Sequence, residues 1–244
     1  MEWLFKVALV SLRLSPLVVG APVFGNIPVP AAARIVLLVA LATGLAGSLT
    51  VAPQNVETLP WMALHELLVG ATLAAGLYTG FAALHFGGRL LDLQIGFGIA
   101  SLVDFANSTN MPLIGTLLSM AGVLFFFAID GHHVLFHVLQ LSLTRIPPGG
   151  ALDGIDAGAV VAQFGSAFSF GFMIVAPVVI CLLLVDLGMA FMSRTMPQMN
   201  VFILSLAVKV LVGLVVLALS IPFAGAVMQR VFDAVFEGWA RVVS

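Results

Sequence analysis

Ile180-Cys-Leu-Leu-Leu-Val-Asp-Leu-Gly188 and Phe202-Ile-Leu-Ser-Leu-Ala-Val-Lys-Val-Leu-Val212 are apolar stretches carrying one charge each, with Arg194-Thr-Met-Pro-Gln-Met-Asn200 between them. Folding the chain at Pro197 puts Asp186 11 residues before the turn and Lys209 12 residues after it. An antiparallel helical hairpin, turning through Pro197, Gln198 and Asn200, brings the two charges level. An ionised group in apolar surroundings is costly unless it is paired. The spacing therefore predicts a helical hairpin in which Asp186 and Lys209 form a buried structural ion pair.

Composition extends this reading to the whole chain. Hydrophobic residues make up 61% of the 244 residues and charged residues 8%, against about a quarter charged in soluble domains. Such a chain is an all-α protein of the membrane type. A net charge of −2 and the lack of a basic patch give no reason to expect nucleic acid. Cys181 stands alone, so no disulfide framework can form. Glu2 and Arg13 make the N-terminus a poor signal peptide, and it is expected to be mature structure.

Apolar segments run over 4–20, 31–52, 60–84, 86–103, 113–143, 159–193 and 201–221, followed by a final stretch over 223–243. Gly87-Gly88, Arg145-Ile-Pro-Pro-Gly-Gly150, Pro197 and Pro222 are among the expected breaks. A helix over 159–193 would be about 52 Å long, more than a bilayer needs, and Pro177 is expected to kink it. The nine basic residues are too scattered to orient the chain. In the last stretch Arg230, Asp233, Glu237 and Arg241 recur every three or four residues. That spacing predicts an amphipathic helix with Arg230–Asp233 and Glu237–Arg241 pairs, and with Phe232, Val235, Phe236, Trp239 and Val243 on its apolar side.

Few residues suggest chemistry. His133 and His137 share a helix face, as zinc ligands often do, but no glutamate lies between them and no third ligand is evident. Packing or capping is the expected role of these histidines, and no metal or cofactor is expected. His65-Glu66 is not followed by a second histidine, and Glu66 is read as complementing a helix dipole. Gly76 and Gly80 have the spacing that lets helix backbones approach closely. Gly96-Phe-Gly98 follows no strand, so a nucleotide site is rejected and helix packing is expected instead. With no phosphate loop, nucleophile elbow or suitably paired carboxylates, the chain does not read as an enzyme.

A polar run remains: Asp104, Phe105, Ala106, Asn107, Ser108, Thr109, Asn110, Met111 and Pro112. An exposed loop and a re-entrant loop both fit it. Irregular backbone at membrane depth is tolerated only where protein or a water-filled cavity satisfies it.

These pieces, in this order, resemble the flagellar biosynthetic protein FliR family, the R component of the type III secretion export gate. The resemblance rests on Ala21-Pro-Val-Phe-Gly-Asn-Ile-Pro-Val-Pro30 with Arg34, His65-Glu-Leu-Leu-Val-Gly70 and Leu91-Asp-Leu-Gln-Ile-Gly-Phe97. It continues through the 104–112 run, Asp130-Gly-His132, Met196-Pro-Gln-Met-Asn-Val-Phe202 and Lys209. It implies a P-like helical region over 1–150 and a Q-like helical hairpin with an amphipathic C-terminal helix over 151–244. The implied assembly contains P and Q export-gate components, works with the B-type switch protein, and belongs to the bacterial inner membrane at the flagellar basal body, largely raised above the membrane plane. Its pore passes unfolded export substrates, and Asp104 to Pro112 map onto the plug. The injectisome counterpart is the nearest rival. A secondary transporter coupled through Asp186 and Lys209 is a more distant one, since no internal repeat is evident.

Overall fold

Apolar runs of this length form helices, because a helix satisfies its own backbone hydrogen bonds where water is scarce. A computed structural model describes residues 2–20, 22, 30–47, 59–98, 112–148, 157–196, 198 and 200–243. Among the described residues there are seven helices and no strand. They are α1 (Glu2–Gly20), α2 (Ala31–Ala46), α3 (Leu59–Ile95), α4 (Leu113–Ala128), α5 (Gly131–Arg145), α6 (Ala157–Thr195) and α7 (Val201–Val243).

By length and composition α1, α3, α6 and α7 could each cross a membrane, and α4 with α5 could form one further broken span. The longest, α7, has 43 residues and would measure about 65 Å against about 30 Å of bilayer hydrocarbon. Only 6% of its most apolar stretch is buried within the chain. Lipid or other subunits must cover the remainder.

Two expected breaks are not breaks. Pro222 lies inside α7, and Gly87 and Gly88 lie inside α3. Pro222 lacks a backbone donor and its ring crowds the carbonyl one turn earlier, yet α7 runs through it without a break. The two glycines are tolerated for a reason that lies in the packing. Pro177 likewise lies inside an unbroken α6.

The residues group into two compact units. The first comprises Met1–Gly80, Phe126–Ser166 and Phe232–Ser244; the second comprises Phe81–Phe125 and Ala167–Val231. In the first, α1 packs on α2, and the end of α7 docks by way of Trp239. This is the largest of the fully buried side chains, and its Nε1–H donates to the Leu73 carbonyl at 2.9 Å. A Cβ at Gly76 would stand 2.6 Å from that nitrogen, so only glycine leaves room for the indole. Gln163 Nε2 donates to the Val235 carbonyl at 3.2 Å. Phe232 and Phe236 continue the aromatic row from Phe126 to Trp239. The tail charges Arg230, Asp233, Glu237 and Arg241 are exposed. Arg241 and Glu237 pair at 3.8 Å, whereas among the described residues no ion pair joins Arg230 to Asp233, because exposed side chains gain little from it.

In the second unit the helices meet backbone to backbone. A Cβ at Gly87 would lie 2.9 Å from the Gly171 carbonyl oxygen, and one at Gly171 would lie 2.6 Å from that of Ala83. A Cβ at Gly88 would lie 2.5 Å from Gly115 Cα. The glycines are contact points of α3 with α6 and with α4. Each costs about 1 kcal/mol of helix propensity, which close packing offsets.

Trp239→Ala is expected to destabilise the first unit by roughly 3–5 kcal/mol, lowering the melting temperature of the detergent-extracted protein. Arg230→Ala, on the exposed side of the same helix, should leave it within the error of the measurement.

Candidate functional site

The most enclosed charges are not the expected ones. Arg13 and Glu66 are 1% and 0% exposed. Arg13 Nε donates to Glu66 Oε2 at 2.7 Å and Nη2 donates to Oε1 at 3.0 Å, the two-pronged geometry that suits a guanidinium and a carboxylate. Its other N–H groups reach the C-terminus of α5. Nη1 donates to the Ser142 carbonyl at 2.9 Å and to Ser142 Oγ at 3.4 Å, and Nη2 donates to the Ile146 carbonyl at 2.9 Å. All five guanidinium hydrogens thus have acceptors. Arg13 joins α1 to α3 and supplies positive charge to the negative end of α5. His65 lies beside this group, with Nδ1 3.2 Å from Glu66 Oε1.

Glu66 therefore does not act on its own helix's dipole, as its sequence position suggested. Arg13, which spoiled a signal peptide, holds three helices together. Its sequence signal was that it is a lone cation in an apolar run, which needs a partner. What concealed that partner is distance, since Glu66 is 53 residues away.

A second group closes the ends of the polar run. Asp92 is 4% exposed; its Oδ1 accepts from Ile114 N–H at 2.9 Å and its Oδ2 from Gly115 N–H at 3.0 Å. Those amides begin α4, where the first turn has donors without helical partners and a positive dipole. On the other side Gly96 leaves the helical conformation with φ 103°, a value that glycine adopts readily. A Cβ there would also run into Leu206 Cδ1. Gly96 is therefore a helix-ending residue as much as a packing one. A Cβ at Gly98 would lie 2.9 Å from Leu93 Cδ2, and Gly80 is buried. Pro112 precedes α4, and its carbonyl accepts from Thr116 N–H at 2.9 Å. Residues 104–111 lie outside the described residues.

The hairpin charges meet. Lys209 Nζ stands 2.5 Å from Asp186 Oδ1. Gly213 gives the same register, since a Cβ there would lie 3.6 Å from Leu182 Cδ2; both pairs straddle the step from 197 to 198. Gln198 and Asn200 are exposed, and the Asn200 carbonyl accepts from Leu204 N–H at 3.3 Å as α7 begins. Pro197 lies outside the described residues. The pair is not buried within the chain, however: Lys209 is 20% and Asp186 41% exposed. The side chains around it, such as Leu183, Leu187 and Leu211, are themselves exposed. Lipid or another subunit would have to supply the apolar surroundings expected from the sequence.

Among the described residues the architecture is that of an all-helical protein of the membrane type, with one enclosed arginine–glutamate pair and one partly exposed lysine–aspartate pair. The chain belongs to the family of bacterial export proteins, family 1, whose pattern it matches over residues 4–235. Among its relatives is the flagellar biosynthetic protein FliR of Bacillus subtilis (strain 168), 32% identical over 94% of this chain and 91% of the relative. That of Escherichia coli (strain K12) is 26% identical over 100% of this chain and 95% of the relative. The secretion system apparatus protein SsaT of Salmonella typhimurium is 26% identical over 67% of this chain and 65% of the relative.

Arg13→Ala should cost about 3–5 kcal/mol by stranding Glu66 in the interior. Arg13→Met with Glu66→Met should recover part of this, but not all, because the Ile146 carbonyl loses its donor. Chemical denaturation in detergent would test the order; full recovery would show that capping α5 contributes nothing. For the half-exposed pair the expectation concerns assembly. Asp186→Ala or Lys209→Ala should lower the yield of complex more than the double apolar replacement does, as read by gel filtration.

Proposed function

We propose that this chain is a structural and gating subunit of the flagellar type III secretion export gate and forms part of the channel for unfolded export substrates. The observation that carries this reading is end-to-end similarity: the Bacillus subtilis FliR protein aligns with 94% of the chain and the Escherichia coli one with all of it. The long helices support it too, since their apolar surfaces need more cover than the chain provides. In this reading residues 1–150 are the P-like part and 151–244 the Q-like hairpin. Its partners are P and Q export-gate components, the B-type switch protein, unfolded flagellar substrates and lipid. Its place is the bacterial inner membrane at the basal body. The partial similarity to SsaT makes an injectisome role the second reading.

Within this reading Asp104 to Pro112 are the plug. Asn107, Ser108, Thr109 and Asn110 offer hydrogen bonds without a charge that would trap a passing chain. Such bonds contribute about 0.5–1.5 kcal/mol each, enough together to hold a closure that a driven polypeptide can displace. Asp92 and Gly96 support the idea by fixing where the flanking helices end and begin.

The subunit should co-purify from detergent with unlike partners; a transporter would come out alone or as a homo-oligomer. Restoration of motility, rather than of effector secretion, in a strain lacking the gene would separate the flagellar from the injectisome reading. Deleting Asn107 to Asn110 should leave assembly intact and make the closed channel leak small ions, and a deletion that assembles normally yet conducts no more than wild type removes the plug from the proposal.

A further inference from the structure

Between α4 and α5 the chain passes through a two-residue break at Ile129 and Asp130. Asp130 has φ 56° and ψ 28°, in the left-handed region, and it is the one non-glycine residue with positive φ among those described. It occupies the position that caps α5, where an aspartate ordinarily accepts from an amide of the first turn. Its side chain makes no such bond. Gly131 follows tightly packed, since a Cβ there would stand 2.5 Å from the Phe126 ring. The corner is thus held in place by packing, while the carboxylate has no capping role.

That carboxylate lies beside two imidazoles. Asp130 Oδ1 is 3.5 Å from His133 Nδ1, and the His132 and His133 rings stand 4.1 Å apart, centroid to centroid. One donor atom from each of Asp130, His132 and His133 lies within 4.8 Å of the other two. His132 Nδ1 is enclosed and has no hydrogen-bond partner among the described residues. Donors held about 2.0–2.2 Å from one zinc ion in tetrahedral geometry stand about 3.3 Å apart. The Asp130–His133 pair, at 3.5 Å, is close to that spacing, and the His132 donor lies within 4.8 Å of both. Two imidazoles and one carboxylate are the donor set of open first-row transition-metal sites.

We propose that Asp130, His132 and His133 form a binding site for a divalent transition-metal ion of the zinc class at the start of α5. This departs from the sequence reading, which weighs only His133 and His137 and expects no metal. His137, one turn further on, is absent from the cluster, and Asp130 supplies the third donor that periodicity could not show. Three protein donors leave one position for water or for a group from another molecule. Such an ion would link the cap of α5 to its first turn.

The test uses the full chain, extracted in detergent with the partners that accompany it, purified without a polyhistidine tag and stripped with chelator. Zinc is the probe, measured by equilibrium uptake against a competing chelator. One zinc per chain is expected, with binding at least tenfold weaker in Asp130→Gly, His132→Ala and His133→Ala. Asp130→Gly preserves the left-handed backbone while removing the carboxylate. His137→Ala and His85→Ala should bind as wild type does. A second measurement avoids variants altogether: zinc should protect His132 and His133, but not His137 or His85, from diethylpyrocarbonate in a mass-spectrometric footprint. Uptake that survives loss of all three ligands, dependence on His137, or equal labelling with and without zinc would each overturn the site.

Discussion

A guanidinium sealed from water dictates more of this structure than any apolar contact does. Arg13 is 1% exposed and has five N–H groups, each of which is expensive to leave without an acceptor. Glu66 takes two, and Ser142 and Ile146, at the end of α5, take the others. The acceptors come from chain positions 53 to 133 residues away. Hydrophobic burial would tolerate many arrangements of α1, α3 and α5, since it is non-directional. The fork of the guanidinium permits few. A buried pair of this kind contributes little net stability compared with apolar residues of the same size; its effect here is to specify which helices meet and in what register.

The second unit relies on close backbone approach. Gly87 meets Gly171, and Gly88 meets Gly115, at distances that leave no room for a Cβ. In lipid, where tails compete equally well for apolar side chains, such contacts are what favours helix on helix. The same surroundings explain why α6 and α7 leave so many large apolar side chains exposed, among them Ile180, Leu184, Phe202, Leu219 and Phe223. A half-exposed Asp186–Lys209 pair within that surface is stabilised only weakly where water reaches it and more strongly where water is excluded. Its contribution therefore depends on what the chain is assembled with.

Membership of the bacterial export family and the proposed gate role put the anchored groups in a mechanical light. A channel subunit has to keep its helices in place while a substrate passes. Asp92 holds the first turn of α4 with two hydrogen bonds, and Gly96 ends α3 in a conformation that other residues resist. These contacts fix where α3 ends and where α4 begins. The end of α7 is similarly tied, through Trp239 and the Leu73 carbonyl. Its exposed charged side remains available to water or lipid headgroups.

The helical class, the membrane character, the amphipathic tail and the pairing of Asp186 with Lys209 all follow from periodicity, composition and distance to a turn. Each depends on residues close together in the sequence. Three things were decided only by the tertiary structure. Arg13 and Glu66 are unremarkable until α1 and α3 are brought together, since the sequence shows a charge without showing its partner. Gly87-Gly88 and Pro222 look like stops, because local propensity counts only what a residue costs its own helix; close contact from another helix reverses the outcome at the glycines. In the sequence Asp130 is only part of a family motif, and its left-handed backbone and its place 3.5 Å from His133 appear only in the folded chain. In each case the sequence carries the chemical group, and the direction of that group comes from contacts that no local pattern encodes.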